Sequence, residues 1–309
     1  MARKRAGRRI DGWLVLDKPS GMTSTAAVTA VKRLSGAAKL GHAGTLDPLA
    51  TGVLPIAFGE ATKTVAYAMA APKRYRFAIR WGEARDTDDA DGAVTATSDV
   101  RPAAADIRRV LPDFTGTISQ VPPAYSAIKI GGRRAYELAR KDLKPDLEAR
   151  EIRIDRIALH AVPDRDHAEF EVTCGKGAYM RGLARDIALS LGTVGHVSRL
   201  RRIAVGPFSE DDAISLDQLG GVGHSAARFE THLLSVAAAL DDIPALALTE
   251  IEAERLRCGR AVQVLRTADR TRIGELGDGA IVCAMTGDKP IALTRVDGWE
   301  IRPVRVLHL

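Results

Sequence analysis

Asp47 stands in the stretch Gly41-His-Ala-Gly-Thr-Leu-Asp47-Pro-Leu-Ala-Thr-Gly-Val-Leu54, a single carboxylate among glycines and small residues that permit close backbone approach. A carboxylate so placed can form or stabilise a covalent intermediate without a metal, provided it is ionised, positioned and shielded from water. Judged alone, Asp47-Pro48 is more simply a turn. Ionisation inside a closed cleft also requires a nearby cation, because an adjacent arginine lowers a carboxylate pKa by roughly 1–3 units.

Other chemistry-bearing patterns fail on spacing. The acidic run Asp86-Thr-Asp-Asp-Ala-Asp-Gly92 does not make a calcium loop: with Gly92 at loop position 6, Thr87 and Ser98 fall where ligands are needed. Gly221-Val-Gly223-His-Ser-Ala226 lacks the preceding strand of a dinucleotide fingerprint. No GxxxxGK[ST], GxSxG or HExxH pattern occurs. Cys174, Cys258 and Cys283 are too far apart in sequence to suggest a thiolate metal site or a disulfide framework. No metal and no nucleotide cofactor is therefore expected.

The elements that must position Asp47 follow from hydrophobic period. Residues 12–17 alternate as a strand, and a Lys18-Pro-Ser-Gly21 turn leads into a helix over about 23–34, capped by Thr23 or Ser24. Residues 40–59 read as loop, short strand and loop. Tyr75, Phe77, Ile79 and Trp81 alternate with Arg74, Arg76, Ala78 and Arg80, a strand with an aromatic and a basic face. A helix over 103–112 and strands over 116–120, 125–130, 150–161 and 167–174 follow, with a hairpin signal at Gly131-Gly132. Tyr179, Leu183, Ile187 and Leu191 make a helix stripe, with Arg181 and Arg185 on another face. A Gly-rich segment at 220–224 and Asp241-Asp-Ile-Pro244 form a linker to a small β-rich unit with strands near 261–265, 279–285, 290–295 and 301–307.

Length and charge agree with this division. A chain of 309 residues fits one large domain plus a small one. Lys+Arg number 45 against 39 Asp+Glu, a net charge of +6, which favours a polyanionic partner. The basic residues crowd into Arg3, Lys4, Arg5, Arg8 and Arg9, a flexible arm, and into Lys176, Arg181, Arg185, Arg199, Arg201 and Arg202, of which Arg199 and Arg202 are expected at phosphates. No apolar run is long enough to span a membrane and no signal peptide is evident, so the expected location is the cytoplasm.

Taken together, Trp13-Leu-Val-Leu-Asp-Lys18-Pro19-Ser-Gly21, the Asp47 stretch, Lys73-Arg-Tyr75-Arg-Phe77, Thr87-Asp-Asp-Ala-Asp-Gly92, Gly175-Lys-Gly177-Ala-Tyr179-Met-Arg181 and Leu200-Arg-Arg202 resemble the bacterial TruB-type tRNA pseudouridine-55 synthases, in order over roughly residues 10–205. The resemblance implies a mixed α/β synthase core (residues 10–240) with a long mixed sheet and a central cleft, and a β-rich PUA-like RNA-binding domain (245–309); the basic arm (1–9) lies outside it. It implies isomerisation of a flipped uridine in the T loop of tRNA, without cofactor, by a monomer that needs no protein partner and no membrane. Asp47 then matches the catalytic carboxylate, Arg181 its arginine partner, and Tyr75 the tyrosine that stacks on the base and helps move the proton. His42 matches a base-extruding histidine. Tyr179 and Leu200 match pocket-lining positions, and Lys18, with Pro19, a motif supporting the active-site loop, Lys18 being counted with the substrate-binding residues. For Tyr75 and Leu200 core packing is the alternative. The acidic run Asp86, Asp89, Asp91 is read as loop architecture. Three rivals stand beside this reading: the archaeal and eukaryotic guide-RNA synthase subunit, a tRNA-folding chaperone, whose activity could also coexist with isomerisation, and a nucleotide-metabolising enzyme with no RNA partner.

Overall fold

In the computed structural model, described over residues 7–126, 129–130, 133–134, 147–221 and 229–309, the alternating segment at residue 73 becomes a central strand of a ten-stranded mixed sheet. Its strands are β1 (Gly12–Lys18), β2 (Leu40–His42), β3 (Thr51–Phe58), β4 (Lys73–Trp81), β5 (Gly116–Gln120), β6 (Arg150–Asp164), β7 (His167–Cys174), β8 (Gly195–Val205), β9 (Phe208–Ser209) and β10 (Ile214–Ser215). The spatial order is β10-β1-β3-β8-β4-β7-β6-β5, with β2 on β3 and β9 on β8. The β1/β10 and β3/β8 pairs are parallel; the rest are antiparallel.

Period-two alternation in these strands builds two cores. Phe77, Ile79, Trp81, Leu54, Ile56, Phe170 and Val172 point to one face, where α1 (Ser24–Ser35) and α4 (Met180–Ser190) cover them. Trp13, Val15, Val53, Ala57 and Phe208 point to the other, beneath α2 (Val65–Ala70) and Leu307 of the C-terminus. Between α2 and α4 lies α3 (Ala104–Val110), and a short α5 (Leu216–Gly221) follows β10.

A proline inside β3 would ordinarily break a central strand by removing an N–H. The carbonyls of Val53 and Pro55 both point away from β1, toward the Arg202 side chain and the Ala43 N–H respectively. On that side β8 pairs only at Thr51 and Gly52 and β2 begins at Ile56, so Pro55 faces the gap between them and no ladder bond is lost.

The C-terminal unit is a five-stranded sheet, β11 (Ala245–Ala247), β12 (Val262–Gln263), β13 (Ile281–Thr286), β14 (Lys289–Asp297) and β15 (Glu300–Val306), ordered β11-β13-β14-β15-β12. It also carries two helices that the strand pattern does not announce, α6 (Glu250–Arg257) and α7 (Thr267–Leu276). For α6 the signal was present as a capping box, Thr249 and Glu252 bonding each other's backbone N–H.

Three expectations are corrected. Residues 125–130 do not form one strand: Tyr125 and Ser126 bend after Pro122-Pro123, only Lys129–Ile130 is extended, and residues 127–128 and the Gly131-Gly132 signal lie outside the described residues. The basic arm is not free at its end. Arg8 exchanges backbone bonds with Gly36 and Ala38, and Arg9 donates to the His308 carbonyl, while Arg3, Lys4 and Arg5 lie outside the described residues. The 220–224 segment begins as the end of α5, and its remainder lies outside them. No helix of the described residues is long and apolar enough to cross a membrane.

Candidate active site

The Asp47 loop, residues 43–50, is fastened from every side. The Ser24 hydroxyl at the first turn of α1 accepts from the Leu46 N–H at 2.8 Å and donates to the Leu46 carbonyl at 3.1 Å. The Ser20 hydroxyl donates to Leu49 O, and the Gly21 N–H to Pro48 O. From β8, Arg202 reaches across and donates to Gly44 O (3.0 Å), Thr45 O (3.5 Å) and Val53 O (2.8 Å). Such a loop is irregular in conformation yet rigid, which is what a positioned carboxylate requires.

Arg181, at the start of α4, is 3% exposed. Its Nε donates to Asp47 Oδ2 at 2.9 Å, and its remaining nitrogens donate to Thr87 O (2.9 Å) and Tyr125 O (2.8 Å). Asp89 of the acidic run lies 3.6 Å from the same Nε. Asp88, in the left-handed region at φ 59°, takes Arg185 at 2.9 Å. The acidic run therefore serves the arginine face of α4, and among the described residues no cluster of His, Cys, Asp and Glu could hold a metal ion. Each nitrogen of the Arg181 guanidinium donates to a fixed acceptor, a fork that lysine cannot reproduce. Asp47 Oδ1 carries no hydrogen bond among the described residues, and the Asp47 side chain is 34% exposed.

A cavity of ≈ 320 Å³ opens beside this pair, lined by Asp47, Tyr75, Tyr179, Leu200, Arg202 and Lys73 among others. That size suits a small ligand or one nucleotide. Tyr75 projects from β4 beside Arg202; burial pushes its phenol pKa up, and the Arg202 guanidinium opposes the shift. Tyr179 caps α4, its backbone N–H and C=O both bound by the buried Gln120 amide. Burial, then the Asp47 charge, push the Tyr179 phenol up. Lys73 donates to Met69 O and Ala71 O, and desolvation lowers its pKa to about 8.

Of the seven residues singled out from sequence, Asp47, Tyr75, Tyr179 and Leu200 line the cavity, and Arg181 lies behind Asp47. His42 and Lys18 do not line it. His42, on β2, has a buried Nδ1 that completes no hydrogen bond of good geometry among the described residues; burial, then Arg202, lower its pKa, and the Gly44 backbone opposes the shift. Lys18, expected to touch substrate, is 0% exposed and donates to the carbonyls of Pro19 (2.8 Å), Met22 (2.6 Å) and Pro48 (3.2 Å). Its place is behind the loop, because a lysine at the end of a buried strand finds carbonyls before it finds solvent. Arg202, expected at a phosphate, is 1% exposed and clamps the loop instead. Lys73 and Ser126 also line the cavity and were not singled out; nothing in their spacing marks them.

The family profiles described as TruB family pseudouridylate synthase (N terminal domain) and tRNA pseudouridylate synthase B C-terminal domain match residues 32–180 and 181–241. The chain is 54% identical over 309 residues to a protein named tRNA pseudouridine synthase B from Rhodospirillum rubrum, covering 100% of both. It is 59% identical over 308 residues to the protein of that name from Gluconacetobacter diazotrophicus, covering 99% of this chain and 100% of that one. Among solved structures, an archaeal box H/ACA sRNP Nop10-Cbf5 complex matches with TM-score 0.69 at 23% identity over 96% of this chain and 86% of that one. An H/ACA RNP bound to a substrate RNA containing 2'-deoxyuridine matches with TM-score 0.71 at 22% identity over 100% and 92%. These two likenesses are of fold.

Proposed function

We propose, from the premise that the chain belongs to the TruB family of pseudouridylate synthases, that it isomerises a uridine of tRNA to pseudouridine in the Asp47 cleft, the target being the uridine at position 55 in the T loop. The observation that carries the site assignment is the Arg181–Asp47 contact at 2.9 Å in the wall of a cavity the size of one nucleotide. The two relatives near 55–60% identity carry the name tRNA pseudouridine synthase B over their whole length, which supports the substrate class.

The geometry suits the roles as follows. A uridine in a stacked loop must leave the stack before its glycosidic bond can be reached, at a cost of a few kcal/mol. Tyr75 offers a ring to stack on the extruded base, and Leu200 an apolar wall. Arg181 holds Asp47 through Oδ2, leaving Oδ1 to engage the nucleotide. The N1–C1′ bond breaks, the base turns while enclosed, C5 bonds to C1′, the C5 proton leaves and N1 takes one up, so no atom is gained or lost. The high phenol pKa of Tyr75 keeps it protonated at neutral pH, as a donor or as one station for that proton. Lys18 and Arg202 hold the loop, and His42 supports it from β2. The chain works as a monomer in the cytoplasm, and its C-terminal sheet contributes RNA surface.

The test is tritium release from C5-labelled uridine in unmodified tRNA, with purified protein alone. Release that vanishes when the T-loop target is replaced supports both reaction and position. Asp47→Asn should bind tRNA normally and release no tritium; turnover by that variant would remove Asp47 from its role. Tight tRNA binding without release by the wild type would favour a chaperone.

A further inference from the structure

We propose that the Ser126 hydroxyl is a base-reading group of the cleft, hydrogen-bonding the polar edge of the extruded uracil. This rests on the reading of the cavity as a uridine site. Ser126 lines that cavity beside Tyr179, is 4% exposed, and its Oγ, which sits near the Tyr179 phenol, completes no hydrogen bond of good geometry among the described residues. A hydroxyl taken from water and left unpaired costs free energy, so a buried orphan calls for something that completes it. Here the space that Ser126 borders is the ligand space itself.

Its placement is held by the same group that holds Asp47. Arg181 donates through Nε to Asp47 Oδ2 and through Nη2 to the carbonyl of Tyr125, the residue immediately before Ser126. One guanidinium therefore sets the spacing between the carboxylate and the hydroxyl. Gln120, which fixes the Tyr179 backbone, lies just upstream on the same segment, so Tyr179 and Ser126 approach the cavity from a common frame. The other polar side chains on the lining are the cations Lys73, Lys176 and Arg202, the Asp47 carboxylate and the hydroxyls of Thr45, Tyr75 and Tyr179. Uracil presents two carbonyl oxygens and a ring N–H, and a hydroxyl, both donor and acceptor, can meet either.

The experiment uses the full chain and two T-arm RNAs, one with uridine at the target and one with an abasic site there. Ser126→Ala should lower kcat/KM on the uridine RNA by about tenfold, while its Kd for the abasic RNA equals that of the wild type. Ser126→Thr, which keeps the hydroxyl, should recover most of the loss. Unchanged kcat/KM in Ser126→Ala overturns the proposal. So does weakened binding of the abasic RNA in parallel with kcat/KM, since that marks a residue shaping the cleft and not reading the base. Absence of turnover by the wild type in the same assay would instead strike the uridine-site reading beneath it.

Discussion

Three cations surround the Asp47 loop, and burial decides what each does. Arg181 is committed to Asp47 and two carbonyls, Arg202 to three carbonyls, and Lys18 to three more. Guanidinium groups keep their charge when desolvated; an ammonium does not do so as readily. Desolvation takes the Lys18 pKa from 10.5 to about 8, against the pull of the Asp47 charge. Between those values the unfolded chain holds a proton that the folded chain has released, so stability rises with pH across that window, and below about pH 8 the cost of burying the charge is fully present. Urea unfolding of Lys18→Met should therefore show an unfolding free energy that rises less, or falls more, with pH from about 8 to 10.5 than that of the wild type. The opposing contributions of Cys174 and Cys283, whose thiols burial pushes up to about 12 and about 11, are common to both proteins and cancel in the comparison. Equal slopes would mean that Lys18 is not desolvated.

At the scale of elements, the site depends on β8 crossing the start of β3. Gly52 makes this approach possible: its φ is 98°, and a Cβ there would lie 2.2 Å from the Arg202 carbonyl oxygen. Neither the conformation nor the distance tolerates a side chain. Gly52→Ala should lower stability by about 2 kcal/mol or more, measured by urea unfolding, and should lose activity even where folded, because Arg202 and the loop it clamps would move together. Stability within about 0.5 kcal/mol of the wild type would show that the two strands can part without consequence. The α4 N-terminus is the second such element. It brings Tyr179 and Arg181 to the cavity from a segment more than 130 residues away from Asp47.

For the whole molecule, the net charge of +6 means less than its distribution. Of the second basic cluster, Arg181 and Arg202 are buried, Arg185 and Arg201 are ion-paired, Arg199 is exposed but paired with Glu169, and Lys176 is exposed at the cavity rim. Phosphate contacts release counterions and set the salt dependence of RNA binding. Lys176→Ala should reduce the slope of log Kd against log salt by about 1, whereas Arg202→Ala should leave the slope unchanged while impairing turnover. A reduced slope for Arg202→Ala would place that side chain at the RNA.

The sequence by itself determined β1, β4, β5, β6 and β7 of the main sheet and the helix stripe of α4, since these follow from local alternation and period, but not β8; its resemblance to a family marked Asp47, Tyr75 and Arg181 as a set, because a long run such as residues 41–54 carries more information than any single residue. It also contained the capping box of α6, which the strand pattern obscured. Only the tertiary structure decided which arginines are buried. Arg199, Arg201 and Arg202 are adjacent in sequence and alike in composition, yet a strand turns its side chains alternately to opposite faces, and only the position of β8 between β3 and β4 turns Arg202 inward. For the same reason Lys18, counted by resemblance with the substrate-binding residues, is enclosed: the strand that carries it lies between two neighbours, and its ammonium is received by the carbonyls of Pro19 and Met22 in its own turn and of Pro48, 30 residues away. Ser126 acquires its meaning only from an unfilled bond beside a cavity, a property of three-dimensional packing that no local spacing encodes.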